Sequence, residues 1–443
     1  MSNWPWRPET GKNRQATDQE LCGAGHRARP SIGPAGDRAP IKNIEEEFYI
    51  YELRGIIDKY WEKVKEHRFW LHQHPEPSGQ EKETSAYVAQ VLRDMGLEPT
   101  EHVGGYGVTA LIQGAGPGKC VGLRADMDAL QLTESTGLAC TSLNPGMAHS
   151  CGHDTHTAML LGAAYVLNEL KDTFNGTVKL IFQPSEENAA DSGAKKMIAD
   201  GVLQNPTVDA VFGQHVWPTF PVGKIGVRSG PMMAASDRFF ITVKGKSSHG
   251  GSSPEEGIDA IMIASYVVAA LQSIVARNVS PLKSTVISIG TIRGGTRYNV
   301  VADEVVLEGT CRNLDLNVRD TMPGRIENII KGVTEGMGGG YEFRYVPGYS
   351  PTVNDPEMYE IVRDSIVDIL GEDGLIIPEY SSLGGEDFSF YSKEVPCAFF
   401  WLGCHDESKP LYPIHHGSFA PAEEALPVGM EVMVSSALKF LAK

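Results

Sequence analysis

Hydrophobic residues recur at i, i+3 and i+4 over 45–74, where Leu53, Ile56, Ile57, Tyr60 and Val64 line one stripe, and this predicts a helix. A second helix is predicted over 82–95, with Gly96 as its stop. Short apolar runs then alternate with longer helical stretches. Residues 108–112, 120–124, 177–182 and 210–215 read as strands, and 155–170 as a strongly helical run. That alternation argues for an α/β domain around a largely parallel, buried sheet. The texture changes near Pro231. FFITVKG (239–245) reads as a strand, and 254–277 as a long helix with Pro254 near its first turn. TVISIGTIRGG and EVVLEGTCRNLD read as two more strands, followed by a helix over 318–337. After Tyr345 the α/β texture returns, with a helix at 356–370 and an apolar strand at 397–403. The order β-α-β-β-α predicts a small α+β, ferredoxin-like domain at 231–345. It is inserted into a larger α/β domain built from 43–230 and 346–443. Residues 1–42, rich in Gly, Pro and Arg and without a period, read as a disordered leader.

The chain has 443 residues, 41% hydrophobic and 21% charged, which is ordinary for a globular protein and too long for one simple core. A net charge of −17 repels phosphate, so neither nucleic acid nor an anionic membrane is an expected partner. No apolar run approaches the roughly 20 residues of a membrane span, and the N-terminus lacks the apolar segment of a secretory signal. Seven cysteines at irregular spacing do not make a disulfide framework and point to a reducing compartment. The expected location is the cytoplasm.

Four segments concentrate ligand chemistry. In MAHSCGHDTHTAMLLGAA (147–164), Cys151, His153, Asp154 and His156 crowd together ahead of a helix. In an extended segment Cys151 and His153 project to one side, offering a thiolate and an imidazole to one metal. The plainer reading is a buried Cys beside a helix-capping Asp154. In LIFQPSEEN (180–188) an apolar strand runs into the pair Glu186 and Glu187. Such a pair can splay, one carboxylate toward a metal and one toward a water whose proton it takes. His215 ends the strand in VFGQHVWP (211–218), and either His415 or His416 of PIHHGSF (413–419) is placed to close the shell. Strand ends loaded in this way, Arg124 and Asp126 included, fit the rule that open α/β sheets bind ligands outside the carboxyl ends of their strands. Thiolate and imidazole favour transition metals over Mg²⁺ or Ca²⁺. In the inserted segment, His249 lies on a Gly/Ser-rich loop, suited to donating to an oxyanion. Arg297, Asn299 and Arg312 are candidates for binding substrate, an Arg for pairing with its carboxylate. Glu386 and Asp387 follow two glycines on a loop and read as supporting acids.

HRFWLHQHPEPSGQE, GLRADMDAL, CGHDTHTAMLLGAA, FQPSEE, GQHVWP, GKSSHGGSSP, YNVVADEV, GTCRNLD, GGEDFSFY and IHHGSF, in this order, resemble the aminoacylase/carboxypeptidase family of di-metal peptidases, family M20. Within it they are most similar to the amidohydrolase branch of aminoacylases, hippurate hydrolases and indoleacetyl-amino-acid hydrolases. The resemblance runs from about residue 60 to the C-terminus. It implies an α/β catalytic domain with an inserted lid or dimerisation domain, and a homodimer or higher homo-oligomer. It implies two divalent transition-metal ions (Zn, Mn, Co or Ni) held by Cys151, His153, Glu187, His215 and His415. Glu186 matches the family's general base, and His249 the lid histidine that stabilises the oxyanion. The implied reaction is hydrolysis of an N-acyl amino acid by a metal-activated water. A dipeptidase or carboxypeptidase of the same family is the alternative, and a catalytically silent metal-binding paralogue a more distant one. Thr155, Ser185, Gly385 and Gly417 depart from the branch's usual residues. None is a ligand, so these departures bear on the substrate pocket.

Overall fold

Two sheets dominate the computed structural model, which describes residues 44–443; the leader expected at 1–42 lies outside those residues. The larger sheet has eight strands. At its centre Thr177–Gln183, Cys120–Asp126, Ala210–Pro221 and Cys397–His405 lie side by side and parallel. Every residue of Cys120–Asp126 is buried, because helices and loops cover both faces; such strands read as continuous apolar runs. Gly107–Gln113 adds antiparallel to Thr177–Gln183, and Thr100–Val103 closes that edge. The helix His153–Glu169 is buried almost all round, packed on the sheet beside the C-terminal helix Ala425–Leu441, which contacts the sheet too. It carries the chain from Cys120–Asp126 to Thr177–Gln183 on one side. The chain then passes to Ala210–Pro221 on the other side. That reversal opens a crevice at the carboxyl ends of these strands.

The smaller sheet is antiparallel, in the order Gly340–Tyr349, Ala235–Lys244, Glu304–Asn313, Thr285–Gly294. Phe239, Ile241 and Val243 alternate along their strand and pack on Ile263, Val267, Leu271, Met322, Ile326 and Ile330. Those six belong to the helices Ala260–Ser273 and Leu316–Gly336. Together these elements form the expected ferredoxin-like α+β arrangement. A two-stranded pair, Gly230–Met233 with Thr352–Asn354, ties together the segments on either side of it.

Three details differ from the sequence pattern. The strand Gly340–Tyr349 was not anticipated, because its glycines and Pro347 mask it. Its sign was the alternation of Tyr341, Phe343 and Tyr345 with Glu342 and Arg344; the three aromatics pack on the core, and an edge strand tolerates the proline. The helix expected to begin at 254 begins at Ala260. Pro254–Glu256 makes only a single 3₁₀ turn, and the Asp259 carboxylate accepts from the Ile261 and Met262 amides. Finally, Ala260–Asn278 is 19 residues with mean hydropathy 1.7, long and apolar enough by composition to cross a membrane. This corrects the expectation that no run approaches that length. Its buried stripe is the core of the smaller sheet.

Removing the cap tests this account of where the helix starts. Asp259→Ala is expected to cost about 0.5–2 kcal/mol, and Asp259→Asn much less. Thermal unfolding of the two variants reads the difference; equal midpoints for both and for the parent protein would contradict the cap.

Candidate metal centre

Gly152 sets the geometry. Its φ of +88° turns the chain so that Cys151 faces the site while His153 opens the helix. Cys151 and His153 therefore meet across a left-handed turn, not along an extended segment as the i, i+2 pattern suggested. A Cβ on Gly152 would lie 2.5 Å from Val216 Cγ2, on the strand that bears His215. Asp154 does not cap this helix: Gly152 occupies that position, and Asp154 binds His72 instead.

The ligand atoms of Cys151, His153 and His215 lie within 4.8 Å of one another, as do those of Cys151, Glu187 and His415, and those of His153, Glu186 and Glu187. Cys151 Sγ is 3.3 Å from His215 Nε2, and His415 Nε2 is 3.0 Å from Glu187 Oε1. The imidazoles are held from behind. His153 Nδ1–H donates to the Asp128 carbonyl at 2.9 Å, and His215 Nδ1–H to the Val216 carbonyl at 2.7 Å. That leaves each Nε2 turned to the cluster, and His153 Nε2 is buried without a hydrogen-bond partner among the described residues. The two glutamates do splay. Ser185 before them has φ +57°, its amide held by Glu81, so Glu186 turns toward Glu386 and Asp387 while Glu187 joins Cys151 and His415.

Charge makes the case for a cation. Burial and then the carboxylates of Glu187 and Glu186 push the Cys151 thiol well above its ordinary range. Burial, with Glu386 and Glu187 beside it, pushes the Glu186 carboxyl well up too. A buried thiol and acids that repel each other, beside an orphaned imidazole nitrogen, fit a pair of positively charged ions.

A second acidic cluster, Glu186, Glu386 and Asp387, already has its cation. Arg124 is fully buried and donates to Asp126 at 2.7 Å, Glu386 at 3.0 Å, Asp387 at 2.8 Å and Gln183 at 2.9 Å. Asp126 in turn accepts from His156 Nδ1, whose Nε2 accepts from the Val216 amide. His156 is thereby fully engaged. His416 is turned away, stacked on Tyr412 with Nδ1 accepting from the Ser418 amide. His249 is exposed on its loop, and Asn299 lies beside it through the Gly250 amide and Asn299 carbonyl. Arg312 is half-buried on Glu304–Asn313. Among the described residues no hydrogen bond or ion pair joins His249, Asn299 or Arg312 to the cluster. Three supporting residues went unrecognised in the sequence: Asp128, Glu81 and Tyr349. Asp128 orients His153 and accepts from the Glu187 amide, and its spacing of two from Asp126 at a buried strand end was the available sign. Tyr349 donates to the Glu186 carbonyl from the end of the smaller sheet, and no local pattern marks it.

Fold and site define a candidate metal centre, and comparison with known proteins gives the class, a metal-dependent hydrolase of amide bonds, and the family. Residues 122–439 match Peptidase family M20/M25/M40. An N-acyl-L-amino acid amidohydrolase of Geobacillus stearothermophilus is 43% identical over 306 residues, 69% of this chain and 82% of its own. Thermostable carboxypeptidase 1 of Saccharolobus solfataricus is 40% identical over 395 residues, 87% of this chain and 99% of its own. The crystal structure of the YXEP protein of Bacillus subtilis, a dinuclear metal-binding peptidase of family M20, is 35% identical with a TM-score of 0.76; the match covers 87% of this chain and 99% of that one. The chain belongs to peptidase family M20.

Two measurements test the buried charges. Arg124→Met leaves Asp126, Glu386 and Asp387 without their cation and is expected to cost about 3–5 kcal/mol; a variant as stable as the parent in urea would contradict that role. His72 donates to Asp154 at 2.8 Å and to Glu134 at 3.1 Å. Burial alone would lower its pKa, but those carboxylates outweigh it and hold it at about 9, above the ordinary 6.5. Its stabilising effect, on the order of 3 kcal/mol, is therefore whole below about pH 6.5 and lost as pH rises through about 9. The stability gap between the parent and His72→Gln should shrink between pH 6.5 and 9.5; a constant gap would overturn the assignment.

Proposed function

We propose that this protein hydrolyses the amide bond of N-acyl amino acids, with Cys151, His153, Glu187, His215 and His415 holding two divalent transition-metal ions (Zn, Mn, Co or Ni). The observation that carries this reading is that those five side chains fall into overlapping groups whose ligand atoms lie within 4.8 Å of one another, one of which brings buried Glu186 to His153 and Glu187. When bound, the ions supply Lewis-acid polarisation of the scissile carbonyl and acidify the attacking water. Glu186 takes the proton of that water and returns it to the leaving amine. Burial, with Glu386 and Glu187 beside it, raises its carboxyl above the ordinary carboxylate range. Asp128 and the Val216 carbonyl fix the imidazoles of His153 and His215, so the nitrogens that face the cluster are set before substrate arrives. His249 Nδ1 accepts from the Gly251 and Ser252 amides at 3.2 and 3.1 Å, which leaves Nε2–H as the donor to an oxyanion. Asn299 and Arg312, on the same smaller sheet unit, hold the substrate carboxylate.

The protein acts in the cytoplasm as a homodimer or higher homo-oligomer in this reading. Six described cysteines are free thiols, and the helix Ala260–Ser273 leaves Ile261, Met262 and Tyr266 exposed, which supports both points. The Saccharolobus relative favours a second reading, a carboxypeptidase. N-acyl amino acids assayed beside free dipeptides and longer peptides separate the two.

Glu186→Gln is expected to keep fold and metal content and to lose turnover by about 10²–10⁴-fold. Near-normal turnover in that variant would refute Glu186 as the base.

A further inference from the structure

The peptide that joins Glu186 to Glu187 is held at both ends. Its N–H donates to Asp128 Oδ2 at 3.0 Å, and its carbonyl accepts from the Tyr349 hydroxyl. A peptide unit is planar and rigid, so anchors on its two edges fix its rotation, and with it the direction in which each carboxylate leaves the chain. The Glu186 carboxylate itself is held loosely, by the Asp387 amide at 3.4 Å. Its aim therefore comes from the backbone. Asp128 follows a strand of the larger sheet, whereas Tyr349 ends a strand of the smaller one. Tyr349 is buried, its ring edge-on to Phe390 with centroids 6.4 Å apart. A clamp fixes the chain on both sides of it. Buried Asp237 accepts from the Gly348 amide at 2.9 Å, and Arg319 donates to Asp237 at 2.7 Å, to the Gly348 carbonyl at 3.2 Å and to the Ser350 hydroxyl at 3.0 Å. Tyr349 also pairs in register with Ser236, which pairs on its other side with Arg312.

We propose that Tyr349 is a positioning residue for Glu186 and ties the aim of that carboxylate to the smaller sheet. The proposal rests on the reading of Glu186 as the base. The hydroxyl reaches a main-chain oxygen, not the carboxylate, so Tyr349 exchanges no proton with the reacting groups. What it supplies is orientation, and misplacing a catalytic group by about 1 Å can cost on the order of 10²-fold in rate. The two glutamates depend on this peptide unequally. Loss of the hydroxyl frees the carbonyl end, which belongs to Glu186, while the N–H end, which belongs to Glu187, stays on Asp128. The rung Arg312–Ser236–Tyr349 gives the arrangement a use. Arg312, the candidate for the substrate carboxylate, and Tyr349 flank one residue of the same sheet. The group that grips substrate and the group that aims the base therefore move as one piece.

Tyr349→Phe removes the hydroxyl and keeps the ring. Assayed metal-loaded, on the N-acyl amino acid that the parent turns over fastest, it is expected to lower kcat by about 10- to 100-fold with KM within about twofold. Its metal content should equal the parent's; metal lost in step with activity would show that the hydroxyl serves the ligand Glu187, and would overturn the proposal. In a Glu186→Gln background the same change should cost less than about twofold more, because a residue that acts through Glu186 then has nothing to aim. A full additional loss there would overturn it as well. Arg319→Lys keeps a charge on Asp237 but gives up the fork that also reaches Gly348 and Ser350. It is expected to lower kcat by itself and to add less than about twofold in the Tyr349→Phe background. Parent-like kcat in Arg319→Lys would overturn the tie to the smaller sheet. One readout needs no substrate. Amide exchange over 184–188, followed by mass spectrometry, is expected to quicken by about fivefold or more in Tyr349→Phe while 153–169 keeps the parent rate. If the parent hydrolyses nothing, or Glu186→Gln turns over normally, the base reading fails by itself and exchange decides whether Tyr349 fixes this peptide. Faster exchange confined to 184–188 supports that; unchanged exchange overturns it.

Discussion

The guanidinium of Arg124 is the constraint on which the rest of the site depends. It is fully buried at the carboxyl end of a central parallel strand, where Asp126, Gln183, Glu386 and Asp387 close on it. Several carboxylates in a dry interior repel one another and resist ionisation; one planar, permanently charged fork with fixed donors lets them stay close. Asp126 can then hold His156, which binds the Val216 amide beside His215. Asp387 accepts from Ser192 and the Ala194 amide and so ties down the segment that follows Glu186 and Glu187. One cation thus braces three strands, and one of them, Ala210–Pro221, bears His215.

On that base the cluster itself is left short of positive charge. A buried thiol, Glu187 beside it and an orphaned His153 nitrogen face a common space, with Glu186 alongside. Arginine answers the acids Asp126, Glu386 and Asp387, while the candidate metal donors have no such cation among the described residues. Local backbone strain marks the same place. Ser185 and His415 both have positive φ, an uncommon state for residues with a side chain, and each aims a group into the cluster. The smaller sheet reaches the site through Tyr349, whose hydroxyl binds the Glu186 carbonyl, so movement of that sheet is mechanically linked to the proposed base.

Much of this was legible in the sequence, for physical reasons that differ by element. Strands such as Cys120–Asp126 and Cys397–His405 are buried on both faces and so appear as unbroken apolar runs. Glu186, Glu187 and His215 were visible because polar residues stood at or after such runs, and Cys151 and His153 because they crowd together ahead of a helix. The choice between His415 and His416 was not legible locally, since it depends on a left-handed backbone at His415. The strand Gly340–Tyr349 was hidden because an edge strand with half-exposed faces carries charge, Gly and Pro. Arg124 stood out as a polar residue on a buried strand, but its partners Glu386 and Asp387 lie more than 260 residues away and meet it only in the fold. Tyr349 is likewise a contact of topology, not of pattern.

The most direct test of the central claim is cobalt(II) titration of the metal-free protein, read by absorption. The account predicts two equivalents per chain and a thiolate-to-cobalt charge-transfer band. That band should vanish in Cys151→Ser while the far-ultraviolet circular dichroism stays unchanged. Failure to bind cobalt, or a band that survives the loss of Cys151, would contradict it.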